Sequence, residues 1–185
     1  MRAAKLIIIL GFNGTGKTTL LKKIVSNEIK KKDSKVLVVT PDDSEWIDLP
    51  YNHLENSKNF NFSGANRTIY NEFETLQKIQ AFYRKGMLIL DDCRAYLKAN
   101  TEMSIHNLLI RRRQKMIDII AVGHGFTEVP QKFVTFASEI ILFQTKDNIQ
   151  KRKDVIKDFD RMEFAQKIIN QKALTDSHYF EIIKQ

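Results

Sequence analysis

Cysteine is almost missing from this chain, which has one thiol, Cys93, among its 185 residues. A single cysteine excludes an intramolecular disulfide and a cysteine-rich zinc site, and it suits a reducing compartment. Cys93 itself reads as a small buried neighbour of a strand. Long apolar runs are wanting as well. Arg2 and Lys5 precede the first, but it stops after five residues, Leu6 to Leu10, at Gly11. That is too short for a signal peptide or a membrane span, so a soluble, cytoplasmic protein is expected. Repeats and long low-complexity tracts are absent, and the most loop-like stretch is the polar, asparagine-rich Asn56 to Asn66.

What the chain does have is an apolar run leading into Gly11-Phe12-Asn13-Gly14-Thr15-Gly16-Lys17-Thr18-Thr19, a complete G-x-x-x-x-G-K-[ST] phosphate loop. Three glycines let the backbone curl closely enough to aim its N–H groups at phosphate oxygens. The helix that follows presents its positive end to the same anion. Gly11 through Thr19 are therefore the expected nucleotide-binding residues, with Lys17 reaching the β- and γ-phosphates and the Thr18 hydroxyl holding Mg²⁺.

Basic side chains outnumber acidic ones by 30 to 22, a formal charge of +8, which favours a polyanionic partner such as nucleic acid or an acidic membrane surface. The length suits one α/β domain over 1–185, with a core at about 5–148 and a C-terminal helical segment at about 149–185. Short, nearly continuous apolar runs at Lys5–Leu10, Lys35–Thr40, Met87–Asp91, Ile117–Val122 and Glu139–Gln144 read as parallel strands covered on both faces. Helical patterns lie between them: Thr18–Lys31, then Tyr70, Phe73, Leu76, Ile79 and Tyr83, then Ile105, Leu108, Leu109 and Met116. This alternation predicts a three-layer α/β fold, a mostly parallel central sheet flanked by helices, with nucleotide at the carboxyl edge of the strands. Asn148–Asn170, with Val155, Phe159, Met162 and Ile169 on one stripe, reads as an amphipathic C-terminal helix, packed on the sheet or covering the nucleotide.

Met87-Leu88-Ile89-Leu90-Asp91-Asp92 places two carboxylates at the mouth of a buried strand, the Walker B pattern. Asp91 is expected to hold the Mg²⁺ shell and Asp92 to orient or polarise the attacking water. An acid beside the magnesium ligand argues for water as the acceptor. The run Ile117–Val122 ends in Gly123-His124-Gly125; a strand between the phosphate-loop and Walker B strands would bring His124 to the γ-phosphate or the lytic water, against the alternative of a loop histidine without a role. Arg111-Arg112-Arg113 ends the preceding helix, where the helix dipole favours cations in any case. One of the three would otherwise serve as an arginine finger to a neighbouring subunit, or the triplet would touch DNA phosphates. Arg94 is a second finger candidate. Lys58, Phe60, Phe62 and Arg67 interleave charge and aromatics, as a nucleic-acid grip or as a solvated loop anchored by two phenylalanines. His53, His106 and His178 have no such placement.

Taken in order, these motifs resemble the HerA/FtsK superfamily of DNA-pumping ATPases, including its viral genome-packaging branch. Val36 to Trp46 resembles the family's second strand and a D-P-x-G-E-Y type turn, with Thr40 where Asp is common. Asp91-Asp92 stands where the family more often has Asp-Glu. Ile117 to Pro130 resembles the sensor strand and its V-P ending, with His124 in place of Gln and no arginine directly after it. The resemblance covers about 5–148 and implies an additional-strand, RecA-like ATPase that uses ATP and Mg²⁺, assembles as a homo-oligomeric ring and moves DNA. Viral or phage genome packaging is the expected role, with a capsid or portal partner, in the host cytoplasm or the virion. A nucleoside- or nucleotide-type kinase, with Lys151-Arg152-Lys153 as its lid, and a nucleotide-gated switch are the alternatives. Thr145-Lys146-Asp147-Asn148 lacks the acid of an N-K-x-D motif, which argues against a GTPase switch, and no L-S-G-G-Q signature supports an ABC-type ATPase.

Overall fold

The computed structural model describes residues 4–42, 44–96 and 102–185; Arg2 and Asp43, and the side chain of Phe73, lie outside the described residues. All five apolar runs form strands, each within one residue of its expected ends. In chain order the elements are β1 (Leu6–Leu10), α1 (Lys17–Ile29), β2 (Lys35–Thr40), β3 (Gly64–Ile69), α2 (Glu72–Phe82), β4 (Gly86–Leu90), α3 (Glu102–Lys115), β5 (Ile117–Gly123), α4 (Gln131–Phe136), β6 (Glu139–Phe143), α5 (Phe159–Lys172) and β7 (Phe180–Lys184). The strands make one seven-stranded sheet in the order β3-β2-β4-β5-β1-β6-β7. Every neighbouring pair is parallel except β6 with β7.

Side chains alternate across a strand, so β1 feeds two cores. Leu6, Ile8 and Leu10 pack with Leu76 and Ile79 of α2, Leu108 and Leu109 of α3 and Ile169 of α5. Ile9 faces the other way, toward Leu21 and Val25 of α1 and toward Trp46. Helices thus cover both faces and the architecture has three layers. Strands with both faces covered need apolar residues at nearly every position, which explains their continuous runs.

Two strands carry no such run. Gly64-Ala65-Asn66-Arg67-Thr68-Ile69 is polar, yet it pairs in parallel with β2 from Lys35↔Gly64 to Thr40↔Ile69. The loop-like reading of Asn56–Asn66 therefore needs correction at its end, where β2 offers hydrogen-bonding groups that outweigh local propensity. The segment before β3 is anchored rather than free. Phe60 is buried in the core, Phe62 packs against it, and the Arg67 Nε, on a buried side chain, donates to the Leu49 carbonyl at 3.2 Å. These contacts favour the anchored-loop reading over a nucleic-acid grip, and among the four residues Lys58 is the exposed one.

The C-terminal helix is shorter than Asn148–Asn170. A single 3-10 turn, Ile149–Arg152, comes first, and α5 begins only at Phe159. Asp158 interrupts the pattern with a left-handed backbone, φ 67°, and caps α5 by accepting the Arg161 N–H at 3.3 Å. Val155 therefore lies outside the helix, while Met162 and Ile169 form its buried face. The segment called helical also ends in a strand: β7 adds to β6 in antiparallel register, Ile140↔Ile183. Of the two arrangements foreseen for this segment, α5 packs on the sheet, and the turn after it reaches the phosphate loop.

Candidate active site

The phosphate loop joins the carboxyl end of β1 to α1. Gly14 and Gly16 sit at φ 81° and 92°, the left-handed region that a side chain disfavours, so glycine is required for the curl. Lys17 is buried, and its Nζ donates to the carbonyls of Gly11 at 2.6 Å and Phe12 at 2.7 Å. Burial lowers the Lys17 pKa, opposed by the carboxylates of Asp91, Glu45 and Asp92. Asn13, Lys17 and Thr18 line one cleft with Asp91, Asp92 and His124.

The sheet order explains why they meet. β5 lies between β1 and β4, so the residues that follow these three parallel strands emerge side by side at one edge. Asp91 follows β4 and is buried. Its Oδ2 accepts the indole N–H of Trp46 at 2.8 Å and its Oδ1 accepts the Asp92 amide at 3.1 Å. Burial raises the Asp91 pKa, and the nearby Glu45 and Asp92 carboxylates add to that, while the indole hydrogen bond opposes it. Asp92 takes a left-handed backbone, φ 47°, a strained conformation for a side-chain-bearing residue. Arg94 grips both its oxygens, Nε to Oδ1 at 2.8 Å and Nη2 to Oδ2 at 2.7 Å. That pairing holds the Asp92 carboxyl below the ordinary carboxylate value.

His124 follows β5, and its loop is fastened to the one after β6. The Thr145 hydroxyl donates to the His124 carbonyl at 3.4 Å, and Asp147 accepts the Thr127 amide at 2.8 Å and its hydroxyl at 2.5 Å. Burial, then the cations of Lys17 and Arg94, lower the His124 pKa, so a neutral imidazole faces the cleft at pH 7.

The arginine triplet is elsewhere. α3 runs into the start of β5, so Arg111, Arg112 and Arg113 lie at the amino edge of the sheet, opposite the phosphate loop of the same subunit. Arg112 is buried and tied to the Ala4 carbonyl at 3.1 Å and the Leu109 carbonyl at 2.6 Å, a structural assignment that removes it from the candidate fingers. Arg111 and Arg113 are exposed. In the basic segment after Asn148, Lys151 and Lys153 are exposed and Arg152 is tied down. Arg152 donates to the carbonyls of Phe126 at 3.0 Å and of Thr127 and Val129 at 3.3 Å each, fixing the loop after β5. Cys93 is fully buried, and burial pushes its thiol far up, which suits an inert core residue.

Three residues had no assigned role in the sequence. Trp46 holds Asp91, Glu45 accepts the Thr18 hydroxyl at 3.1 Å, and His178 lies against the phosphate loop, where a Cβ added at Gly16 would be 2.7 Å from its Cδ2. The signal for the first two was the Glu45-Trp46 pair after β2, with Trp46 the sole tryptophan. His178 gave none. Trp46→Phe removes the indole hydrogen bond to a buried carboxylate, at about 1–3 kcal/mol. It is expected to lower Tm by several degrees in calorimetry, at about 2–4 °C per kcal/mol for a chain of this size. The indole bond holds the Asp91 pKa down, so its loss should raise that pKa further.

The AAA domain family matches residues 1–128, more than half of the chain. The genome packaging NTPase B204 from Sulfolobus turreted icosahedral virus 2, solved with ATP-gammaS, is similar in structure, with TM-score 0.68 and 16% identity over 100% of this chain and 94% of that one. The N-terminal domain of zonular occludens toxin from Neisseria meningitidis matches with TM-score 0.53 and 15% identity over 79% of each chain. EssC (ATPases 2 and 3) from Geobacillus thermodenitrificans matches with TM-score 0.54 and 11% identity over 83% of this chain and 34% of that one. No curated protein matches the chain. Its phosphate loop, its paired acids and its three-layer fold around a mostly parallel sheet are those of a P-loop ATPase, and the chain belongs to the AAA domain family.

Proposed function

We propose that this ATPase is the subunit of a ring-shaped motor that moves DNA, with viral genome packaging as its role. The observation that carries the reading is the match to the B204 packaging NTPase over the full chain, including the added strand β7. The excess of basic side chains supports a polyanionic substrate. In a ring, Arg111 and Arg113 are the exposed members of the triplet available to a neighbour's nucleotide or to DNA phosphates. A capsid or portal partner, and a place in the host cytoplasm or virion, follow from the same reading. No helix among the described residues is long and apolar enough to cross a membrane.

In this reading Gly11 to Thr19 wrap the phosphates through backbone N–H groups, and Lys17 leaves its two carbonyl acceptors for the β- and γ-oxygens. The donor set suits magnesium: the Thr18 hydroxyl and the carboxylates of Asp91, Glu45 and Asp92 are hard oxygens on one cleft, and a cation there would offset the burial that raises the Asp91 pKa and the smaller repulsion from Glu45 and Asp92. Thr18 and Asp91 would hold it, and bound there it would neutralise charge on the transferring phosphoryl group. Asp92, kept ionised by Arg94, accepts a hydrogen bond from the attacking water and orients it. Neutral His124 donates one N–H to the γ-phosphate or to that water.

The test is steady-state ATP hydrolysis with and without double-stranded DNA across a salt series. DNA is expected to stimulate turnover several-fold at low salt, with the stimulation falling steeply as counterions compete for phosphate. Turnover indifferent to DNA at every salt concentration would overturn the motor reading while leaving the ATPase intact.

A further inference from the structure

We propose that His178, on the turn between α5 and β7, is the nucleoside contact of this site: its imidazole forms the wall on which the ribose–base half of ATP rests. The proposal rests on the phosphate loop holding the triphosphate of ATP, and it deepens that reading by naming the residue that meets the other half of the molecule.

The argument starts from direction. Asp91, Asp92 and His124 emerge after β4 and β5, on one side of β1. The γ-phosphate must face them for water to attack it. A triphosphate laid along the loop with that end toward β4 and β5 carries its nucleoside away from them, toward the β6–β7 side. His178 comes from that side. Its ring packs on Gly16, the residue that opens α1, with the would-be Cβ 2.7 Å from Cδ2 and 3.8 Å from Nε2. The residue is exposed, as a group that meets a ligand from solvent must be.

The turn is also built to hold that ring still. The His178 amide donates to Asp176 Oδ1 at 2.9 Å, and Ser177 Oγ lies 3.2 Å from His178 Nδ1. Next to it in the chain, Lys172 donates to the Tyr179 hydroxyl at 2.7 Å and that hydroxyl donates to Glu181 at 2.7 Å, tying the end of α5 to the start of β7. β6, the partner of β7, leads to Gln144, whose carbonyl accepts the Phe12 amide of the phosphate loop at 3.0 Å. The turn and the loop are thus braced through one pair of strands. A fixed planar ring beside the helix that binds the phosphates suits stacking or hydrogen bonding with a purine nucleoside.

The experiment measures displacement of a fluorescent ATP analogue from the full chain by ATP, ADP, AMP and inorganic tripolyphosphate, for wild type, His178→Ala and His178→Phe. His178→Ala should weaken ATP, ADP and AMP together by about tenfold, in line with the loss of one aromatic stacking partner, and leave tripolyphosphate within twofold. His178→Phe should restore most of the loss. Unchanged ATP affinity in His178→Ala, or an equal loss for tripolyphosphate, would overturn the nucleoside contact, since a prop for the loop affects both ligands alike. Wild type that binds tripolyphosphate no better than Lys17→Ala would instead overturn the triphosphate site, and the contact with it.

Discussion

Lys17→Ala is expected to lower kcat/KM for ATP by at least about 10²–10³-fold, the loss seen when one preorganised donor to a developing anion is removed. The structure says why a single amine carries so much. Lys17 Nζ is buried, held by the Gly11 and Phe12 carbonyls at the mouth of the loop, and feels the carboxylates of Asp91, Glu45 and Asp92. Its charge is what makes that acidic pocket receptive to a polyphosphate. Without it, Asp91, Glu45 and Asp92 would repel the γ-phosphate. The Gly11 carbonyl also loses its Lys17 donor, at about 1–3 kcal/mol, while the Phe12 carbonyl keeps the Thr15 hydroxyl at 2.8 Å, so a fall in Tm of a few degrees should accompany the kinetic loss. Hydrolysis assays paired with nucleotide titration and calorimetry check both. Activity within tenfold of wild type would show that the loop backbone alone holds the phosphates.

Asp92→Asn is the second large effect: kcat should fall by about 10²–10³-fold while ATP binding stays within a few-fold of wild type. The separation follows from the proposed roles, in which Asp91 would hold magnesium and Asp92, one residue further along the chain, would meet the attacking water rather than the nucleotide. Its mode of action follows from Arg94. A carboxylate gripped at both oxygens and held below its ordinary pKa is a poor proton acceptor but a fixed, fully ionised hydrogen-bond acceptor. Because the shift is downward, protonation of Asp92 sets in only below the usual carboxylate range, and the acid limb of kcat should not arise from this group. Arg94→Ala releases the carboxylate, so its pKa should return toward the ordinary value and an acid limb should appear at higher pH. Single-turnover hydrolysis across pH, with binding measured in parallel, separates the two variants. An Asp92→Asn protein that fails to bind ATP would place the residue in the nucleotide shell.

Much of the site was legible in the chain because its chemistry is written in consecutive residues. Gly14, Gly16 and Lys17 are forced by backbone curvature and by the charge of phosphate, and the paired acids follow a run that can only be a buried strand. The five apolar strands were legible for the same reason, since a strand covered on both faces has no room for polar side chains. β3 and β7 were not. Both lie at the outer ends of the sheet order, where pairing with an established neighbour substitutes for an apolar sequence. The start of the C-terminal helix was not legible either, because its apolar stripe continues backward through Val155 while the backbone turns at Asp158.

The sequence by itself determined that this protein binds nucleotide phosphates on a parallel α/β sheet, because loop curvature, strand burial and acid placement are local properties of adjacent residues. Only the tertiary structure decided which distant groups share the site. It joined Trp46 to Asp91 across 45 residues of chain, set His124 beside Lys17 through the order of three strands, and laid His178 on Gly16. It also sent the arginine triplet to the far edge, where Arg112 serves the fold. The physical reason is one of range. A hydrogen bond or a charge acts over a few ångströms in space, and strand order, which no single segment encodes, fixes which residues come within that distance.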